Sequence, residues 1–232
     1  MKIDRIHSLD VQIDRARELQ LELAERLVLE GGPKIERLRI VAGCDVAFDS
    51  AGKRAFGALV LLSFPELELL ELVRGEAPLR FPYIPGYLSF REMEVLLGLF
   101  EGLKTVPDAV FADGQGIAHP RGLGLASHLG LFLGLPTIGC AKSRLVGTYR
   151  EPGQNRGDSS PLFYRERPVG TVLRTRANTK PIFVSPGHLI SVENAAALAL
   201  AVGGRFRVPE PTRSADRLVS EFKRETIQRG LV

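Results

Sequence analysis

Residues 38–48 read Leu38-Arg39-Ile40-Val41-Ala42-Gly43-Cys44-Asp45-Val46-Ala47-Phe48. The run is apolar and short, and its period differs from that of the segment before it, which marks a buried strand. Two more strand-like runs follow at 54–63 and 67–74. They are joined by Ser50-Ala51-Gly52-Lys53 and by Phe64-Pro65-Glu66. Links this short suit hairpins, so three antiparallel strands are expected. Upstream, Leu9, Ile13, Ala16, Leu19, Leu23 and Leu27 recur at three and four. That spacing predicts a helix from about Ser8 to the stop at Gly31-Gly32-Pro33.

Downstream, helix and strand patterns alternate. Helices are expected at 89–103, 121–133, 191–202 and 212–227, and strands at 107–113, 136–140, 163–174 and 181–185. An antiparallel meander followed by β-α-β units makes one mixed sheet flanked by helices, an α/β fold in a single domain over 1–232. Residues 151–160, polar and rich in Gly, Asn and Asp, are expected to be disordered.

Composition narrows the function classes. With 232 residues, 44% hydrophobic and 25% charged, the chain has enough apolar content for a core and is not intrinsically disordered. Two cysteines, Cys44 and Cys140, exclude a disulfide-dense secreted scaffold and cannot alone complete a zinc site. The start, Met1-Lys2-Ile3-Asp4-Arg5, is charged at once and does not read as a signal peptide, so a reducing, cytoplasmic setting is expected. The uncharged run 122–141 contains His128, Pro136 and five glycines, a pattern of helix, turn and strand rather than a membrane span. Net charge is +4, and Arg outnumbers Lys by 24 to 7. The planar guanidinium forks phosphate, so the balance leans toward a nucleic-acid partner.

Three carboxylates stand in unusual places. Asp45 interrupts an apolar strand, where it needs a cation, a metal or several donors, unless it sits at a bulge and bonds backbone. Glu92 heads the apolar stripe Leu96, Leu99, Leu103, yet Ser89-Phe90-Arg91-Glu92 also matches a capping box. Asp113 closes the strand Ala109-Val110-Phe111-Ala112, the strand end at which α/β sheets bind ligands, although a turn cap would look the same. Oxygen donors alone, with no His-Cys pairing, favour magnesium or manganese. Such ions beside a basic surface suit phosphodiester hydrolysis, with Lys142 available to neutralise the phosphate. The loop Phe81-Pro82-Tyr83-Ile84-Pro85-Gly86-Tyr87 is stiffened by two prolines. It reads either as a core-packing turn or as a wedge that enters a duplex.

Four stretches then come in a telling order: Phe-Pro-Tyr-Ile-Pro-Gly with Ser-Phe-Arg-Glu just after it (81–92), Asp-Gly-Gln-Gly-Ile-Ala-His-Pro-Arg (113–121), Gly-Cys-Ala-Lys-Ser (139–143) and Ser-Pro-Gly-His (185–188). Together they closely resemble the endonuclease V family, the deoxyinosine-directed nucleases, over about residues 40 to 220. The resemblance implies a ribonuclease H-like fold and magnesium-dependent nicking, with manganese able to substitute. The bond cut is the second phosphodiester 3′ to hypoxanthine, which leaves 3′-hydroxyl and 5′-phosphate ends. It further implies that Asp45, Glu92 and Asp113 bind metal, with Asp216 at a family position that carries His or Asp. Lys142 would hold the scissile phosphate, with His119 nearby. Pro82, Tyr83, Ile84 and Pro85 would form the wedge, and Gly86, Leu88, Gly114 and Gly116 the base pocket. DNA containing deoxyinosine is the implied partner, inosine in RNA the alternative, and a monomer the expected state.

Overall fold

The computed structural model describes residues 1–229, so the last three residues of the expected 1–232 domain lie outside the described residues. One sheet of eight strands runs through it in the order β3-β2-β1-β4-β5-β8-β7-β6. The meander is present: β1 (Ile40–Phe48), β2 (Arg54–Ser63) and β3 (Leu69–Pro78) pair antiparallel. Next to β1, β4 (Ala109–Ala112) runs parallel, and β5 (Thr137–Ala141) runs parallel to β4. This is the ribonuclease H-like mixed sheet. Parallel pairing ends there, because β8 (Ile182–His188) returns antiparallel to β5, and β7 (Arg167–Leu173) and β6 (Ser159–Tyr164) extend the same edge antiparallel.

Helices cover both faces. On one, α2 (Leu88–Glu101) and α3 (Leu125–Leu133) bury Met93, Leu96, Phe100, Leu129 and Phe132 against Ala42, Leu59 and Val110. On the other, α4 (Val192–Ala201) and α5 (Glu210–Arg229) bury Leu198, Val202 and Ala215 against Val41, Phe111, Ile138 and Val184. Strands between two helical layers are apolar on both faces, which is why β2 reads as an almost continuous apolar run. The approach of α5 to β1 depends on Gly43: a Cβ there would lie 2.1 Å from the Pro211 carbonyl oxygen. Only a residue without a side chain lets the first turn of α5, and with it Asp216, reach the sheet.

Three sequence expectations are corrected. The first helix, α1 (Ile13–Ala24), begins later and ends earlier than its apolar spacing predicts. Leu9 packs instead beside α2 and α3, while Leu27 joins the cluster under α1 and the Val28 amide donates to His188 Nδ1 at 3.2 Å. The run 163–174 is broken by a hairpin turn at Arg165 and Glu166, both at positive φ, so that it contributes the end of β6 and the whole of β7. Finally, residues 151–160 are ordered. The guanidinium of Arg174, 2% exposed, donates to the carbonyls of Pro152, Gly153 and Thr179 and pairs with Glu151, fastening the segment to β7. A low-apolar loop gains much of its order from one buried cation, with backbone bonds joining Gly157 and Asp158 to Arg174, and none of these contacts has a signature in local composition.

Replacing Arg174 by Met should therefore leave several carbonyls without donors and cost about 3–5 kcal/mol. Urea titration would read that loss, and amide exchange should accelerate across 151–160 far more than in β2.

Candidate active site

Register brings the first two acids together. Cys44 on β1 pairs with Ala112 on β4 in parallel, so the next residues along, Asp45 and Asp113, leave neighbouring strands side by side. Lys142 follows the adjacent β5, and its Nζ lies 2.6 Å from Asp113 Oδ2 and 3.8 Å from Asp216 Oδ2 on α5. Glu92, 6% exposed, sits one turn into α2 and feels the charges of both Asp45 and Asp113. The capping-box reading of Glu92 does not hold. Tyr87 is the N-cap of α2 without a side-chain bond, and Ser89 Oγ turns inward to His128 Nδ1 at 3.0 Å.

That histidine belongs to a short buried chain. His7 Nδ1 faces the Ser8 carbonyl at 2.6 Å, and His7 Nε2 faces His128 Nε2 at 2.7 Å. A carbonyl can only accept, so His7 donates from Nδ1, accepts at Nε2 from His128, and leaves His128 Nδ1 to accept from the Ser89 hydroxyl. Burial depresses both rings' pKa, in keeping with this neutral arrangement. The chain fixes the first turn of α2 and so the position of Glu92.

Electrostatically the acids are under-compensated. Burial and then the neighbouring Asp113 push Asp45 up to about 7, and burial followed by the charges of Asp45 and Asp113 raises Glu92 well above the carboxylate range. Burial works against charge on Lys142, but its bond to Asp113 and the surrounding carboxylates raise its pKa overall. Among the described residues, no three His, Cys, Asp or Glu side chains close into a ready ligand set. The donor chemistry nevertheless fits a hard divalent ion: oxygen donors only, two of them on acids that resist ionising beside one another.

Beside the acids lies a cavity of about 450 Å³, in the range of small-ligand sites. Asp113, Gly114 and Lys142 form one side, and Gly86, Leu88 and His119 line it from elsewhere. Gly116 does not line it. It lies buried beneath, where a Cβ would meet the Pro186 carbonyl at 2.0 Å and where its amide donates to Ser185 Oγ at 2.7 Å. The 185–188 stretch thus supports the floor under the 113–121 loop. Above the cavity, the core-packing reading of the proline loop holds for its two ends, while most of its middle is exposed. Phe81 and Tyr87 are buried anchors stacked on one another and on Phe90, while Pro82, Tyr83 and Pro85 are exposed, Tyr83 at 70%.

What the sequence reading missed is a clamp on Gly86. This residue has φ +83°, and its carbonyl accepts from Gln20 Nε2 at 2.9 Å, His119 Nε2 at 3.0 Å and Arg121 Nη2 at 2.8 Å. Gln20 Oε1 in turn accepts from Arg121 Nε, and Arg121 lies 4.3 Å over the Tyr87 ring. His119 accepts from the Arg121 amide at Nδ1, so its proton is on Nε2. Burial and then Arg121 lower its pKa to about 4, leaving a neutral donor rather than a proton shuttle. Gln20 carries a signal that was available: a polar residue on the apolar face of α1, four after Ala16 and three before Leu23.

The family model for Endonuclease V matches residues 21–217. The chain belongs to the endonuclease V family. The Endonuclease V of Nostoc punctiforme is 44% identical over 220 residues, covering 95% of this chain and 99% of that protein. The crystal structure of the Streptomyces avermitilis Endonuclease V superposes with a TM-score of 0.90 at 36% identity, covering 98% of this chain and all of that one. A Ciona intestinalis Endonuclease V, crystallised with a 24mer DNA containing an inosine followed by a ribo-adenosine, superposes with a TM-score of 0.84 at 28% identity. It covers 93% of this chain and 99% of that one. Family membership makes the chain a nuclease. As expected, no helix among the described residues is long and apolar enough to cross a membrane.

Two outcomes test the site. Without divalent ions, folded Asp45 keeps a proton up to about pH 7 that the unfolded chain releases near 4, so stability falls as pH rises through that window. Asp45→Asn should consequently be more stable than the native chain at pH 8, by on the order of 4 kcal/mol, with the advantage vanishing near pH 4 in melts run with chelator. Gln20→Leu should cost about 1–3 kcal/mol by removing one donor from Gly86 and the acceptor of Arg121. Gln20→Glu, which keeps that acceptor, should cost less in the same urea titration.

Proposed function

We propose that the chain is a divalent-metal-dependent repair nuclease. It recognises deoxyinosine in DNA and hydrolyses the second phosphodiester bond 3′ to it, leaving 3′-hydroxyl and 5′-phosphate ends. One observation carries the reading: the base-sized cavity and the carboxylate cluster share Asp113 and Lys142 in one wall. A base held there sets its own backbone against the acids, which is the proximity a hydrolytic site requires.

Asp45, Glu92 and Asp113, with Asp216 beside them, would hold magnesium or manganese. When bound, such an ion activates water and steadies charge on the leaving oxygen. Lys142, bonded to Asp113 here, would be free to hold the scissile phosphate once that carboxylate served as a metal ligand. Tyr83, exposed on a loop anchored by Phe81 and Tyr87, fills the gap left when the base turns out of the stack. His119 stays neutral and holds the Gly86 carbonyl, so its part is to shape the pocket. Backbone of Gly86 and Gly114 lines the cavity closely. Hypoxanthine is guanine without the 2-amino group, so a tight wall at C2 excludes guanine, and donors at O6 disfavour the adenine amine. An unmatched buried polar group costs about 1–3 kcal/mol, enough for one to two orders of magnitude of discrimination.

A second reading follows from the Ciona protein, whose bound DNA carries a ribonucleotide after the inosine. On that reading, inosine in RNA or in mixed strands is the better substrate. End-labelled duplexes with a single deoxyinosine, matched to RNA of the same sequence, decide between the two. The expected result is one nick in DNA, one nucleotide beyond the bond 3′ to the lesion, requiring magnesium and absent in Asp45→Ala. Nicking confined to RNA would replace the substrate, and binding without any nick under magnesium or manganese would overturn the enzymatic reading.

A further inference from the structure

On the far side of His119 from the acids, a groove of about 960 Å³ runs between α1 and the β6–β7 hairpin. Arg17, Arg121, Arg165 and Arg167 line it, and no carboxylate does. Among the described residues, none of these four guanidiniums forms an ion pair. On α1 the reason is visible: Glu18 and Glu22 are both committed to Arg15, at 3.0 and 2.8 Å, which leaves Arg17 free. Two of the guanidiniums lie over aromatic faces, Arg121 over Tyr87 at 4.3 Å and Arg165 over Tyr164 at 5.1 Å. Stacking restricts a guanidinium while leaving its N–H edge available to an anion. Arg165 also occupies a hairpin position at φ 50°, where Asn or Gly would be less strained. Leu21 and Leu29 add exposed apolar surface, 51% and 37%, against which sugars can pack.

We propose that this groove is the track for the sugar-phosphate backbone of the lesion-bearing strand on the 5′ side of the flipped base. Continuity and polarity carry the assignment. His119 lines both the groove and the base cavity, and Arg121 spans them through its bond to the Gly86 carbonyl. The polarity rests on the function proposed above: a bond cut 3′ to the base takes the 3′ backbone across Asp113 and Lys142, so the strand must enter from the opposite side, where the arginines stand. The anionic backbone is what four uncompensated guanidiniums select, and its registration in the groove helps set which phosphate meets the acids.

The test is binding by fluorescence anisotropy in metal-free buffer, which prevents nicking, with labelled duplexes carrying one deoxyinosine or none. The proteins are the native chain, the triple variant Arg17→Gln/Arg165→Gln/Arg167→Gln, and Arg17→Gln alone, each checked by circular dichroism. Each lost phosphate contact lowers the slope of log affinity against log salt by about 0.9, so the triple variant should lose about 2–3 and Arg17→Gln about 1. Trimming the duplex 5′ of the lesion should weaken the native chain several-fold and the triple variant hardly at all. Trimming it 3′ should weaken both alike. An unchanged salt slope in both variants overturns the track, and sensitivity to 3′ rather than 5′ trimming overturns its polarity. Equal affinity of the native chain for inosine and undamaged duplex instead overturns the lesion reading, while the salt slopes still decide whether the groove binds backbone.

Discussion

Two carboxylates held side by side by the parallel register of β1 and β4 are the constraint around which the rest is arranged. Parallel neighbours bring residues with the same strand direction to the same end of the sheet, so Asp45 and Asp113 emerge together whatever the helices do. Burial prevents water from screening them, and Asp45 answers by holding its proton to about pH 7. A fold that maximised stability would separate these groups or replace one. Here Glu92 is added from α2, fixed by the Ser89–His128–His7 chain, and Gly43 admits the α5 turn that leads to Asp216. The repulsion is retained at a single point while both helical faces around it are packed with apolar residues.

The other half of the site rests on one carbonyl. Gly86 takes three donors, from α1, from the 113–121 loop and again from that loop's end. Its positive φ turns the chain sharply between the exposed Tyr83 and the helix that carries Glu92. The clamp therefore couples the loop tip, the cavity wall and the acid through a few residues of backbone, so their relative positions do not depend on loop flexibility. His119, read from the sequence as a neighbour of the phosphate, is understood better as part of this clamp. Its ring is spent on the carbonyl, and its depressed pKa removes the charge that a phosphate ligand would need.

Strand runs with strong apolar patterns were legible at once: 54–63 coincides with β2, and the acid at position 45 stood out because nothing else charged lies between Arg39 and Asp49. The alternative explanations of the acids were not separable by pattern. Ser-x-x-Glu at 89–92 satisfies a capping box, and only a histidine 39 residues away shows that Ser89 is engaged elsewhere. Order in 151–160 was illegible for the same reason, since Arg174, just past β7, supplies much of it from outside the segment. Gln20 was legible in principle, as a polar interruption of an apolar stripe, but a stripe gives no hint of which carbonyl it serves. Local periodicity reports burial, whereas the direction of a long-range hydrogen bond is fixed only when the chain closes.

That distinction bears on how selectivity and affinity are divided in this molecule. The cavity is lined by Gly86 and Gly114 together with larger side chains such as Leu88, Leu125 and His119, and its Gly86 wall is held by Gln20, His119 and Arg121; on the proposed reading it discriminates through shape and unmatched polar groups. The groove beyond His119 carries guanidiniums without carboxylate partners, three of them exposed, which in the proposed role would attract any phosphodiester backbone alike. A lesion is rare among normal base pairs, so under the proposed function the non-selective surface would bring the chain onto nucleic acid while the cavity would sample bases one at a time. Arg121 belongs to both, bonded to Gly86 on one side and lining the arginine groove on the other. In that proposal backbone registration in the groove and base registration in the cavity are joined through one side chain, with Asp113 standing in the cavity wall itself.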